Sequence, residues 1–158
     1  MSAAAAPLRD QIRDATKIAM RDKDTVRLST LRLMSAAIKD RDIAARAADR
    51  CGGIGDDEIL AILTKMVKQR EEAAKTYDDN GRPELAERER SEIEVVRRFM
   101  PAQMSEAEIE AAVDAAVQKT GATCLKDMGK IMGQLKSQHA GSIDMGVAGK
   151  MVKARLCS

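Results

Sequence analysis

Aromatic rings are nearly missing from this sequence: in 158 residues there is one tyrosine, Tyr77, one phenylalanine, Phe99, and no tryptophan. Strands favour β-branched and aromatic side chains, so this shortage argues against a β-sandwich or a β-barrel. It equally argues against a surface that reads nucleic acid by stacking bases on rings. Histidine occurs once, as His139, which rules out a histidine-rich metal site. The cysteines, Cys51, Cys124 and Cys157, are odd in number, far apart and without a CxxC pair. That argues against both a disulfide framework and a zinc site, and fits a reducing compartment. No apolar run approaches the roughly 18 residues of a membrane helix. The stretch Met1 to Pro7 has alanines but no basic region and too short a core for a signal peptide. The expectation from these shortages is a soluble cytoplasmic protein.

What is abundant is the stock of helices. Ala, Met, Leu, Lys, Arg, Glu and Asp dominate, with 44% apolar and 33% charged residues. Unbranched side chains of this kind lose little rotamer freedom in a helix. The net charge of +2 conceals an alternation: residues 1–50 carry +4, residues 51–118 carry −7 and residues 119–158 carry +5. Basic ends around an acidic middle can attract a polyanion locally, although solvated helix faces account for much of such charge.

Helical spacing of Leu8, Ile12, Ala15 and Ala19 predicts a first helix over 8–22. Asp24 or Thr25 can cap a second, reaching about Ala48, with a stripe of Leu28, Leu31, Ser35 and Ile38 broadened by Leu33, Met34 and Ala37. Cys51 to Gly55 reads as a loop whose glycines serve turns, since no Lys-Ser/Thr follows to cradle a phosphate. Asp56 reads as the N-cap of a third helix faced by Ile59, Leu63, Met66, Ala73 and Tyr77 and stopped at Asn80-Gly81. Pro83 opens a fourth, lined by Leu85, Ile93, Val96 and Met100 and ended by Pro101. Beyond a linker at 101–104, Ser105 and Glu108 form a capping box for a fifth helix that Gly121 stops. A sixth carries Leu125, Met128, Met132 and Leu135, and a seventh runs from near Asp144 to about Leu156. The expected architecture is all-α: a larger N-terminal domain of about four helices, residues 1–100, then a small C-terminal three-helix domain, residues 101–158.

Catalytic chemistry has little to stand on. Nothing in sequence around His139 orients its ring, so it reads as an exposed loop residue. Glu71-Glu72 and Asp78-Asp79 are adjacent and point to different sides of a helix, whereas acid/base pairs must converge. Cys51 or Cys124 as a nucleophile lacks a nearby histidine. No catalytic, cofactor-binding or metal-binding residue is assigned, and no cofactor is expected. The unusual segment is Lys126 to Gly133. Gly129 and Gly133 lie on one face, each costing about 1 kcal/mol relative to alanine, so something approaches the backbone there. A second helix is the simplest occupant and a sugar-phosphate backbone the other. Lys126 and Lys130 form a parallel ridge, and Lys136, Lys150, Lys153 and Arg155 continue the charge.

Several segments in one order resemble the GatB/YqeY family from about Leu8 to Leu156. Arg27 to Arg32 followed by Ala37-Ile38-Lys39 is similar to its second-helix signature. Lys68 to Glu71, Tyr77, Gly81-Arg82 and Glu84 to Glu87 are similar to its central block. Pro101 with Ser105-Glu106, and Lys126 to Gly133, resemble its linker and its lysine–methionine–glycine block. The resemblance implies a helical domain followed by a small one like the tail of the B subunit of glutamyl/aspartyl-tRNA amidotransferase. That tail holds the outer corner of tRNA, and related modules are appended to some glutaminyl-tRNA synthetases. Family-level descriptions attach carbon–nitrogen ligase activity, with glutamine as amido-nitrogen donor. The residues themselves show no machinery for it. One departure stands out: Ala140-Gly141-Ser142 replaces a Lys-Gly-Arg frequent in the family, removing two charges from the expected RNA-facing surface.

Three functional expectations follow. The first is a tRNA-associated module using Lys126, Lys130, Lys136, Lys150 and Lys153, with Gly129 and Gly133 permitting close approach. The second is an adaptor docking to amidotransferase subunits or an aminoacyl-tRNA synthetase, with Glu87, Glu89, Glu92 and Glu94 as the candidate docking surface. The third is binding of another protein's helix by the glycine face and the methionine stripe. No membrane partner is expected and the oligomeric state is open. Arg27 and Arg32 are expected to sit in ion pairs.

Overall fold

The computed structural model describes residues 5–157, so the reading of Met1 to Pro7 falls partly outside the described residues. It is all-α, with seven α-helices and no strand among the described residues. The chain forms two compact units, Met1–Met100 and Pro101–Ser158.

The first unit contains α1 (Leu8–Arg21), α2 (Thr25–Ala47), α3 (Asp56–Asp79) and α4 (Pro83–Arg97). In α1, Leu8, Ile12, Ala15 and Ala19 are all buried, as their spacing predicts. They meet Leu31, Met34 and Ile38 of α2, Ile59 and Leu63 of α3, and Ile93 and Val96 of α4 in one core. Fully burying a side chain such as Ile12 or Leu63 is worth about 1.5–3 kcal/mol over leaving it exposed. Helix α2 departs from the expected stripe. Leu31, Met34 and Ile38 are buried as expected and Thr30 joins them, whereas Ser35 and Leu33 are exposed, as are Val26 and Ile43. Helix α4 ends at Arg97, earlier than Pro101 alone predicts, and turns through Phe99 and Met100 close the unit. Between α3 and α4, Arg70 pairs with Glu89 at 3.2 Å and with Glu92, a buried carboxylate that also takes Arg88 at 3.4 Å.

One cluster ties three helices at their ends. Asp42 on α2 accepts two hydrogen bonds from the Arg9 guanidinium of α1, at 2.6 and 2.9 Å, and a third from the Ile54 N–H at 3.0 Å. Arg9 also donates to the Ile54 carbonyl at 3.1 Å. Gly53 passes beside this clamp with φ 78°. A Cβ there would sit 2.7 Å from an Asp42 carboxylate oxygen, so both the turn and the close approach require glycine. Asp56 is not the N-cap of α3. Gly55 holds that position, and the Asp56 carboxylate accepts the Leu8 N–H at 3.2 Å instead, joining the first turns of α1 and α3. Spacing alone could not show this, because the donor lies 48 residues away.

The second unit contains α5 (Glu106–Thr120), a 3-10 turn (Leu125–Asp127), α6 (Met128–Gln138) and α7 (Met145–Leu156). Its separate core comprises Ile109, Val113 and Ala116 of α5, Ile131 and Leu135 of α6, Ile143, and Ala148 and Val152 of α7. Ser105 and Glu108 form the capping box, at 3.3 and 2.7 Å, and Gly121 stops α5 at φ 63°. Leu125 belongs to the 3-10 turn and is 48% exposed, so it is not a core residue of the sixth helix. The linker is fastened to its own unit: Met104 N–H donates to the Ser142 carbonyl at 2.9 Å and Gln103 to that of Gly141 at 2.8 Å.

The Asp42 clamp predicts a pH dependence. The Arg9 hydrogen bonds, then the Ile54 N–H, hold this carboxyl down to about 2, from an ordinary 3.8. A depressed folded-state value contributes stability that is present above 3.8 and disappears as pH falls toward about 2. Thermal melting across that window should show a steeper acid loss for the wild type than for Asp42→Asn. A second expectation concerns Gly53→Ala, which forces both a left-handed alanine and a contact with a carboxylate that three hydrogen bonds hold in place. It should cost about 2 kcal/mol in urea unfolding.

A candidate phosphate-binding face on the C-terminal unit

The expected site residues lie on three elements. Lys126 is on the 3-10 turn, so it does not extend α6 as spacing had implied. Gly129, Lys130, Gly133 and Lys136 are on α6, and Lys150 and Lys153 on α7. All seven are exposed. At about 100° per residue, Gly129, Gly133 and Lys136 share one face of α6, with Lys130 turned away from it. Lys150 and Lys153 share an outer face of α7 by the same spacing.

Why these faces exist follows from the core side of each helix. Ile131 and Leu135 commit α6 to the interior, leaving the glycines outward. The N-terminus of α7 is fixed by Asp144, which accepts the N–H groups of Gly146 and Val147 at 2.8 and 3.2 Å. Gly149 is the glycine that packs: a Cβ there would lie 3.7 Å from the Met132 methyl and 3.9 Å from that of Met128. At Gly129 and Gly133 an added Cβ would meet nothing within 4 Å. The expectation that another helix of this chain occupies the glycine face is therefore not met. The close packing that sequence assigned to Gly129 and Gly133 belongs to Gly149.

Among the described residues, none of the five lysines forms an ion pair. The arginine of this unit behaves otherwise, because Arg155 reaches Asp114 at 2.7 Å and Glu110 at 3.5 Å. One anion sits within the ridge. Asp127 accepts the Thr123 N–H at 3.3 Å and lies beside the Cys124 thiol at 3.6 Å. The Thr123 hydrogen bond, with help from Cys124 and nearby Lys130, holds the Asp127 carboxyl below its ordinary value. Ala140-Gly141-Ser142 forms the loop that receives the linker, with Gly141 at φ 74°. That loop serves architecture where the family often places two cations.

Other expectations fare differently. Glu92 is buried, Glu89 shares its arginine, and Glu87 approaches Arg90 at 3.7 Å. Glu87 and Glu94 are exposed, and Glu94 forms no ion pair among the described residues, so only Glu89 and Glu92 of this set are committed between α3 and α4. Arg27 and Arg32 form no ion pair among the described residues, and the buried Arg27 Nε has no hydrogen-bond partner. His139 follows α6 as its C-cap and is half-buried rather than exposed. Cys51, Cys124 and Cys157 are free and exposed. No helix among the described residues is long and apolar enough to cross a membrane.

The chain is a two-unit, all-helical protein whose second unit carries exposed lysines, without ion pairs among the described residues, beside an open glycine face. Comparison places it in a family. The sequence profile of the Yqey-like protein family matches residues 9–156, and the chain belongs to that family. Curated relatives carry the name "Altered inheritance of mitochondria protein 41, mitochondrial". That of Lachancea thermotolerans is 34% identical over 100 residues, covering 61% of this chain and 51% of the relative. That of Candida glabrata is 30% identical, covering 53% and 44%, and that of Vanderwaltozyma polyspora 25% identical, covering 71% and 62%. The chain thus spans about half the length of the curated relatives it matches. Their names overturn the expectation of a cytoplasmic protein. Free thiols report reducing conditions and not which compartment supplies them.

The open glycine face yields a stability test. Gly129→Ala and Gly133→Ala add a methyl group to empty space on a helix, so each should raise unfolding stability by up to about 1 kcal/mol. Gly149→Ala would set its methyl at ordinary contact distance from two methionine methyls and should gain at least as much.

Proposed function

We propose that the C-terminal unit is a tRNA-associated module that grips the phosphate backbone and works alongside glutamine-dependent amide transfer without supplying its chemistry. The observation that carries this reading is the combination on α6 and α7. Five lysines are free of carboxylate partners, and Gly129 and Gly133 leave helix backbone open to a close neighbour. Lysines without internal partners cost nothing to redirect toward phosphates, and each such contact releases counterions. The near absence of aromatic rings fits recognition of RNA by shape and backbone. The resemblance of the chain to the amidotransferase tail points to tRNA among RNAs.

The test is binding of the full chain to bulk tRNA and to a length-matched RNA duplex at two salt concentrations. The expected result is preference for tRNA that persists near physiological salt, with each phosphate contact contributing about 0.7–0.9 to the slope of log affinity against log salt. Lys126→Glu with Lys130→Glu, and separately Lys136→Glu, should each abolish that preference. Equal binding to both RNAs that salt removes, or reversal of these charges without effect, overturns the proposal.

A further inference from the structure

The first unit carries a basic groove that the reading above does not use. It runs between α1 and α2, encloses about 400 Å³ and is lined by Arg9, Arg13, Lys17, Ser35, Lys39 and Asp42, with Ile12, Thr16 and Ile38 beneath. Its charge is unbalanced in a particular way. Asp42 is its single carboxylate, and both oxygens of that group are taken by Arg9 and the Ile54 N–H. Lys39 has no ion-pair partner among the described residues. Arg13 and Lys17 touch only Asp10, at 3.0 Å, and Asp14, at 4.0 Å, on their own helix. Exposed i,i+3 pairs of this kind are weak in water and yield readily to a better anion. The groove between α3 and α4 differs: there Glu71, Asp78, Glu87 and Glu94 outnumber the cations, Arg90 is bound to Asp78, and Arg97 to Glu71 at 2.5 Å, across the helices.

We infer that the α1–α2 groove binds a chain of linked phosphate groups, held by Arg13, Lys17 and Lys39. Arg13 and Lys17 stand one turn apart, about 6 Å along the axis, and Lys39 faces them from α2, so neighbouring phosphates can be met by separate cations. Ser35 is exposed, and its hydroxyl makes no hydrogen bond among the described residues, leaving a neutral donor in the wall. Thr16 is already committed to the Ile12 carbonyl at 2.7 Å. An acidic peptide fits less well. A helix docked in a groove needs apolar anchors, and the floor residues Ile12 and Ile38 are only 1% and 4% exposed, so no pocket is open to receive them. The groove offers several weakly held cations and no open pocket in its floor, which suits a phosphate chain, whether free or as the backbone of a polynucleotide.

The test is independent of tRNA binding by the C-terminal unit. The isotopically labelled full chain is titrated with sodium tripolyphosphate and, separately, with a twelve-residue oligouridylate, following backbone amides by NMR. Saturable shifts should concentrate at residues 13–17 and 35–39. The double variant Arg13→Gln/Lys39→Gln, with its helix content checked by circular dichroism, should bind about tenfold more weakly, whereas Lys39→Arg alone, which keeps the charge, should bind within about twofold of the wild type. Lys130→Glu should leave these shifts unchanged. Shifts from both probes at the same amides assign the groove to a polynucleotide backbone, and shifts from tripolyphosphate alone assign it to a free phosphate chain. Shifts scattered evenly over basic residues of both units, or a folded double variant that binds like the wild type, overturn the inference.

Discussion

The N-terminal unit depends on one carboxylate that accepts three hydrogen bonds from two partners. Asp42 gathers the Arg9 guanidinium from α1 and the Ile54 N–H from the segment entering α3. The surrounding aliphatic core supplies most of the driving force but is indifferent to small rotations of one helix against another. Directional bonds to a single group are not. They fix where α1 begins, how the loop after α2 folds back and where α3 starts, and Asp56 repeats the device by taking the Leu8 N–H. Gly53 is the concession this arrangement demands, because any side chain there would enter the space the carboxylate occupies. The same clamp neutralises the one acid in the α1–α2 groove, so an architectural contact also sets the electrostatic character of a surface.

The C-terminal unit solves its packing without such a hub. Small and flexible side chains close its core, with Met128 and Met132 lying against Gly149. Methionine adapts to irregular space, which suits a unit lacking rings to fill it. Three helix glycines of this unit thus meet two different surroundings. A side chain at Gly149 would touch two methionine methyls at ordinary contact distance, while one at Gly129 or Gly133 would meet nothing within 4 Å. A helix that carries two glycines on a free face forgoes stability at that place, since alanine would fit there.

Much of the fold was legible in the sequence because its signals are local. The Ser105–Glu108 box, the Gly121 stop, the Asp144 cap and the α1 stripe each depend on residues within one or two turns. Helix α2 was harder, since Val26, Leu33 and Ile43 give its outward face an apolar stripe that competes with the true one. The Asp42 clamp and the role of Asp56 were invisible, as partners 33 and 48 residues apart leave no periodic trace. For the candidate site, the residues themselves were readable from the lysine–glycine segment. Their grouping was not: the break between the 3-10 turn and α6 separates Lys126 from the helix, and only the packing of Gly149 shows which glycines remain uncovered.

The ion pairs reveal a division of labour between the two strongly basic residue types. Arginine supplies the cation in every ion pair described here except the 4.0 Å contact of Lys17 with Asp14. A planar fork holds a carboxylate in a fixed orientation, whereas an ammonium on a long stem does not. Arginine therefore builds this protein, and lysine decorates it. Acylation of amines would then strip much of the positive charge from the surfaces while sparing the bonds that fix the helices. A cell able to acetylate these lysines would possess a dial for the charge of the protein's surfaces, one that turns without unfolding anything.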